Sequence, residues 1–337
     1  MIKRWGVIII QIAAGVALVA VLVWQTDLDR AVTIVREGEY LYLAVGLPLY
    51  LIGALVNAYR WRLALHHLES PPVGDLFGIY LVALMLNRVL PMRVGDVMRV
   101  QLPARRYGIS GEALTAEVWV VETLLDATVF VLLILWSLAF LGVEAVPLTI
   151  AWTLSMLTLG GLIVATLAAR LELRDGWEER GLVRHLPRPV RARAGVMLPR
   201  FIEGLRVLRD LPVAGRALAL TLLNWVLQAV MYYSFGLIFG LELSLAEAIV
   251  VTIAAAIVVS LPLMPSSIGT YEVAVAGVLA LMGLSNAESV TYALGSHILM
   301  IGFSVLVGAV AIPAIGLGLK DLPFVGRASP REPVRPA

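Results

Sequence analysis

A charged break interrupts an apolar run at residues 87–100, whose sequence is NRVLPMRVGDVMRV. It places Arg88, Arg93 and Arg99 beside Asp96, around a Pro-x-x-x-Gly sequence. Guanidinium groups bind phosphate oxygens through two parallel hydrogen bonds, so this pattern is suited to an anionic headgroup. The same charges could instead pair with one another, and the cluster would then only stabilise the fold.

A second break, MPSSIGT at residues 264–270, has the same Pro-x-x-x-Gly spacing but no charge. Its serines offer hydroxyl donors, and the free N–H groups of a helix that starts at either glycine favour an anion. We therefore predict that both breaks contact the substrate. The predicted substrate-binding residues are Asn87, Arg88, Arg93, Arg99, Ser266, Ser267 and Gly269, and the predicted breaks lie at Pro91, Gly95, Pro265 and Gly269.

Four acidic residues are available to balance these arginines. Glu122 and Asp126 are four residues apart in the next apolar run, so they share one face of a helix. Asp96 and Glu272 each follow one of the two breaks. We predict that these four residues balance the arginine charge or couple transport to protons. We predict no catalytic residue, no metal ligand and no cofactor, and the absence of cysteine excludes disulfides and thiolate chemistry.

The composition requires a membrane around these charges. The chain has 337 residues, of which 60% are hydrophobic, and its mean hydropathy is +0.90. Several apolar runs reach the roughly 20 residues that a bilayer core needs. We predict an all-α polytopic membrane protein with about six full transmembrane helices and two broken re-entrant hairpins. The predicted spans are 5–24, 40–64, 112–141, 146–168, 214–240 and 287–319, and the predicted hairpins are 74–104 and 245–283.

The distribution of positive charge predicts the orientation. If both broken segments enter and leave on one side, Lys3, Arg60 and the arginine-rich loop 169–213 all lie in the cytoplasm. No lysine or arginine occurs between Ala217 and Leu319. We therefore expect a multi-pass protein of the cytoplasmic membrane with both termini cytoplasmic. Backbone broken at membrane depth must be buried in protein or line a cavity, so the hairpins should lie inside a helix bundle.

The chain also resembles itself at a shift of about 174 residues. This shift aligns LPMRVGD at 90–96 with MPSSIGT at 264–270. At a shift of 175 residues, YGISGEAL at 107–114 aligns with MGLSNAES at 282–289. Each copy consists of a span, a broken hairpin and a span, and the predicted topology inverts the second copy. Inverted repeats with broken helices are a recurrent plan of transporters. The predicted membrane domain is 1–320, with repeats at 40–141 and 214–319, and 321–337 is predicted to be a disordered cytoplasmic tail.

These motifs resemble those of the lysylphosphatidylglycerol synthase transmembrane-region family, a group of flippase-like membrane proteins. The first family pattern, Asn-x-x-x-Pro-x-Arg-x-Gly-acid-x-x-Arg, is matched over residues 87–99, with Asp96 where glutamate is usual. The second, Pro-x-x-x-Gly-x-x-Glu, is matched over residues 265–272. The resemblance covers nearly the whole chain and implies movement of a lipid or lipid-linked headgroup. The large lysyl-transferring members carry an additional soluble synthase domain, so for a chain of 337 residues we expect a stand-alone member without that activity.

The leading hypothesis is therefore a lipid flippase and not an enzyme. Its expected partners are membrane lipids, either an anionic phospholipid or a polyprenyl-phosphate-linked lipid, with lipid-biosynthesis enzymes as further candidates and no nucleic acid. Two alternatives stay open at this point: a membrane-embedded lipid-modifying transferase, and a noncatalytic subunit of a lipid-synthesis complex. No phosphate-binding loop of the Gly-x-x-x-x-Gly-Lys type occurs in the chain, which argues against ATP hydrolysis.

Overall fold

The computed structural model describes residues 2–68, 71–141, 148–171, 187–260 and 264–317. Within these ranges the chain forms helices and turns, without a β-strand. The helices are α1 Ile2–Trp24, α2 Leu28–Arg36, α3 Leu43–Ala64, α4 Val73–Val89, α5 Val94–Tyr107, α6 Gly111–Ala116, α7 Glu122–Leu141, α8 Leu148–Ala169, α9 Arg188–Gly204, α10 Leu211–Ile238, α11 Leu245–Ser260, α12 Thr270–Leu281 and α13 Asn286–Ala314. One turn of π-helix, Glu117–Val121, joins α6 to α7.

Four helical segments of the described chain are long and apolar enough to cross a membrane: Tyr40–Ala64, Gly111–Ser137, Leu211–Ile238 and Asn286–Ala314. A fifth span results if Ile10–Trp24 and Leu28–Arg36, which are bent by 93°, are taken together. The all-α polytopic membrane fold is thus confirmed. The described residues contain four to five such spans, and the predicted spans 5–24 and 146–168 correspond to α1 and α8.

Both predicted breaks are present, and their backbones match over four positions, 90–93 and 264–267, after which α5 begins two residues earlier than the aligned start of α12. Leu90 and Met264, each before a proline, are extended, as steric clash with the proline ring requires. The two residues after each proline then adopt left-handed conformations, which cost roughly 1–2 kcal/mol each for a residue with a side chain. These residues are Met92 and Arg93 at the first break, and Ser266 and Ser267 at the second.

The helices on either side of the breaks pack in corresponding pairs. Helix α3 packs along α10, which aligns with it at the 174-residue shift. Helix α4 packs against α13, and its counterpart α11 packs against α7. The α3–α4 contact likewise corresponds to the α10–α11 contact. The bundle is therefore built from two similar halves, and the two breaks meet within it.

The arginine-rich loop is partly helical. Helix α9 occupies Arg188–Gly204, and a short 3₁₀ turn follows at Arg206–Arg209. The apolar side chains of Ile202 and Leu208 are buried against the bundle. Residues 172–186 of this loop and the predicted tail, 321–337, lie outside the described residues.

Candidate functional site

Asn87 organises the first break. Its side-chain amide donates to Asp96 Oδ1 at 3.1 Å, and its Oδ1 accepts from the Gly95 N–H at 2.8 Å. Gly95 is the second residue of α5, so its predicted place in the break itself is corrected. It must be glycine because a Cβ there would collide with the Ala83 carbonyl. The N–H groups of Gly95 and Asp96 at the start of α5 are therefore occupied, by Asn87 and by the Arg93 carbonyl.

Arg93 links the two breaks. Its Nε lies 2.5 Å from Asp96 Oδ2, and its Nη1 donates to the carbonyl of Ser260, the last residue of α11, at 2.9 Å. In the opposite direction, the Ser266 hydroxyl donates to the carbonyl of Arg88, near the end of α4. Each break thus donates a hydrogen bond to a carbonyl at the carboxyl end of the first helix of the other hairpin. Carbonyls at helix ends otherwise lack hydrogen-bond partners.

Arg99 and the predicted acidic pair form a buried ion-pair network. The Arg99 guanidinium contacts both oxygens of Glu122, at 3.2 and 2.5 Å. Arg60 binds the same Glu122 at 3.1 Å and also Asp126 at 3.1 Å. Both arginine side chains are about 95% buried, which such charges tolerate only when they are paired. Asp96 lies 4.0 Å from Arg99 and extends the network to the break.

Arg60, which the charge distribution predicts on the cytoplasmic side, is buried inside the bundle near the end of α3. It faces α10, where its Nη1 also donates to Thr221 at 3.0 Å. Asp126 accepts a further hydrogen bond from the indole of Trp225 at 2.9 Å. Asn57 lies three residues before Arg60 and bonds Asn224 of α10 at 2.9 Å. Polar residues three apart share a helix face. The spacing of Asn57 and Arg60 was therefore the sequence signal that Arg60 faces the same neighbouring helix.

Two aromatic side chains stack on Arg99. The rings of Trp61 and Tyr80 lie 4.8 and 5.0 Å from its guanidinium carbon. Cation–π contact of this kind stabilises a desolvated arginine by about 2 kcal/mol. Glu117, in the π-turn, is also buried, and its Oε2 has no hydrogen-bond partner among the described residues. None of these three residues was predicted at the site.

The second break has a separate polar cluster. Glu272 accepts from the Gly269 N–H at 2.7 Å, and its other oxygen lies 2.7 Å from His297 Nδ1. The ring of Tyr271 stacks on His297 at 4.1 Å. Gly269 has a φ of +85°, and a Cβ there would lie 2.5 Å from the Gly15 carbonyl oxygen of α1. Glu272 and Gly269 are therefore engaged with each other and not with the arginines.

A cavity of about 640 Å³ opens beside the charged network. Arg88, Arg93, Arg99, Asp96 and Glu122 line its polar end, and the wall continues past amide and phenol side chains to an apolar end. A smaller cavity of about 130 Å³ shares these charged residues and adds Asn87, Ser266 and Ser267. The structure thus gathers six of the seven predicted substrate-binding residues around two cavities that share lining residues, and Gly269 is not among the lining residues. Pro91 and Pro265 lie in the two breaks beside it.

Arg88 differs from the arginines of the ion-pair network. Arg60, Arg93 and Arg99 each have a carboxylate within hydrogen-bonding distance. The half-buried Arg88 side chain lines both cavities, but it makes no ion pair with any residue that the structure describes. A guanidinium within a membrane-spanning bundle is costly unless an anion or water compensates it. Arg88 is therefore the arginine with free capacity for an anion.

Comparison with known proteins gives the family. The family model described as the lysylphosphatidylglycerol synthase TM region matches residues 8–308. A UPF0104 membrane protein of Methanothermobacter thermautotrophicus is 24% identical over 311 residues, which cover 87% of this chain and 89% of the relative. The match includes both breaks, the acidic pair and the cavity between them. The chain belongs to the family of lysylphosphatidylglycerol synthase transmembrane regions.

Proposed function

We propose that this protein is a lipid transporter that moves an anionic phospholipid or lipid-linked headgroup across the cytoplasmic membrane. The observation that carries the proposal is Arg88, a guanidinium without an ion-pair partner among the described residues, at the polar end of a 640 Å³ cavity. Binding pockets for small molecules commonly measure about 300–1,000 Å³. An arginine fork matches the oxygens of a phosphate and would fix the headgroup there.

The other predicted site residues have different roles in this proposal. Arg93 and Arg99 hold internal ion pairs and shape the positive end of the cavity. Asn87, Ser266 and Ser267 offer hydrogen-bonding groups from the smaller cavity. Asp96, Glu122 and Asp126 balance the arginines, and a proton taken up by one of them would free an arginine for the ligand. Glu272 acts at a distance by capping the second break.

The two-fold resemblance within the chain supports alternating access. Residues 90–93 and 264–267 of the two breaks share one backbone conformation, and the helix contacts of the two predicted repeats correspond. If the halves are inverted, as the charge distribution predicts, exchanging their conformations moves the opening of the cavity from one side of the membrane to the other. The cavity is then the site around which the halves rock, with both termini in the cytoplasm.

Transport in vesicles tests the proposal. The protein is reconstituted in vesicles that contain phosphatidylglycerol with a fluorescent headgroup label, and outward-facing label is followed by chemical quenching. Arg88→Gln should lower apparent affinity about ten- to a hundredfold, since a charge-assisted hydrogen bond contributes roughly 1.5–3 kcal/mol. Arg62→Gln, at an exposed position, is the matched control and should transport normally.

Three results would contradict the proposal. Equal transport by empty vesicles and vesicles with protein would exclude a transporter of this lipid. Equal transport by Arg88→Gln and Arg62→Gln would exclude Arg88 as the headgroup contact. Chemical conversion of the added lipid, detected by mass spectrometry, would instead show a lipid-modifying enzyme.

A further inference from the structure

Two equivalent helix interfaces of the bundle differ in packing. The α4–α13 interface is closed, because Gly308 of α13 lies directly against α4. A Cβ at this glycine would lie 2.9 Å from the Leu81 carbonyl oxygen. Elsewhere in the same interface, the side chain of Ile315 covers Gly78 of α4 and leaves no room for a Cβ there. This interface leaves no space for a ligand along these residues.

The corresponding α7–α11 interface is open along one side. Its closed side is formed by Val129 and Leu133 of α7, which pack in one cluster with Ile249 and Ile253 of α11. Along the other side the cavity separates the two helices. Its apolar wall consists of Phe130, Val131 and Ile134 of α7 and Ala256 and Ile257 of α11.

The open side has the dimensions and polarity of an extended amphiphile. Glu122 and Ile134 both line the cavity and are twelve residues apart on α7, which is about 18 Å along a helix axis. Charges line the first end, and hydrocarbon side chains line the other. Ile257 of α11 lies three residues before Ser260, which bonds Arg93, and it is 40% exposed, so the cavity reaches the outer surface of the bundle beside its charged end.

We infer that the groove between α7 and α11 is a lateral binding site for a hydrocarbon chain of the lipid whose anionic group contacts Arg88. The inference rests on the proposed function and adds the place where the tail is held. Charge complementarity at one end and continuity of the apolar wall at the other select an anionic lipid over a free phosphate. The closed α4–α13 interface is the equivalent site in the opposite conformation of the transporter.

Quenching by brominated lipids tests this inference. The chain has no native cysteine, so Ala256→Cys and, on the outer face of α13, Val310→Cys can each carry one bimane label. Each labelled protein is placed in phosphatidylglycerol nanodiscs with or without bromine on the acyl chains. Bromine should quench both labels. Adding Arg88→Gln should reduce quenching at residue 256 severalfold and leave quenching at residue 310 unchanged.

Two outcomes would overturn the inference. If bromine quenches the label at residue 310 but not the label at residue 256, no hydrocarbon chain enters the groove. Quenching at residue 256 that Arg88→Gln does not alter would show ordinary bilayer contact. If Arg88→Gln still lowers the apparent affinity of vesicle transport in either case, the proposed function stands and only the tail site is lost.

A variant without a label gives an independent measurement. Ala256→Leu fills the groove, whereas Ala280→Leu adds the same volume at an exposed position of α12. Native mass spectrometry should find the copurifying anionic lipid lost from the first variant and retained by the second. Equal lipid occupancy in the two folded variants would contradict the tail site.

Discussion

The ion pairs around Glu122 predict a large stability loss when its charge is removed. Glu122 contacts Arg60 at 3.1 Å and Arg99 at 2.5 Å, and both arginine side chains are only 4–5% exposed. In Glu122→Gln, Arg60 keeps Asp126 as a partner, but Arg99 keeps only the more distant Asp96. Leaving a buried charge without its partner costs about 3–5 kcal/mol.

Thermal unfolding in detergent measures this effect. For a chain of this size, about 3–5 kcal/mol corresponds to a decrease in Tm on the order of 5–10 °C. Glu112→Gln is the matched control, because its partner Arg200 is 3.7 Å away and half exposed. That pair should contribute less than about 1 kcal/mol. Adding Arg99→Gln to Glu122→Gln removes the uncompensated charge and should recover part of the loss.

Two results would refute this role of Glu122. If Glu122→Gln and Glu112→Gln unfold within about 1 °C of each other, where about 5–10 °C is expected, Glu122 does not compensate the two arginines. If the double variant is less stable than the sum of the single changes, the pair is not the unit that we describe. Either result would also weaken the distinction between paired Arg99 and unpaired Arg88.

Three further predictions concern packing and charge elsewhere. Trp225→Phe removes the donor to Asp126 and should cost about 1–3 kcal/mol in the free energy of unfolding, measured by the shift in Tm. Gly308→Ala should lower Tm, because its Cβ has no room against α4, whereas Gly302→Ala has open space and should raise Tm by the helix preference of alanine. Burial lowers the pKa of His67, so unfolding takes up a proton and stability should fall as pH drops below about 6.5; His67→Gln should flatten that decrease, and an unchanged pH slope would contradict this.

The sequence predicted the breaks because local chemistry determines them. Proline removes a backbone donor and disfavours the helical region for the preceding residue, which agrees with the ends of the helices before Pro91 and Pro265, although Pro48 and Pro313 lie inside α3 and α13. The acidic pair was predictable from its spacing. Gly95 was placed at the end of the break from its Pro-x-x-x-Gly spacing, whereas the structure requires glycine there because α5 approaches α4 closely.

The partners of the charges could not be predicted in the same way. Arg60 reaches Asp126 across 66 residues and Thr221 across 161, and no local pattern carries such separations. A membrane-spanning charge must find a partner, but the sequence alone gives several acids for each arginine. Only the packing of α3 against α10 decides that Arg60 is buried, and only the pairing of the other three arginines shows that Arg88 is left.

The contact between Ser266 and the Arg88 carbonyl has a mechanical consequence. Arg88 presents its side chain to the cavity while its backbone is the acceptor that anchors the second break. Any ligand that pulls this residue also moves that anchor, so occupancy at the cavity and the position of the opposite hairpin are coupled through a single peptide unit. The reciprocal bond from Arg93 to Ser260 makes the coupling act in both directions. If the protein works by alternating access as proposed, the two breaks therefore move together as one joint.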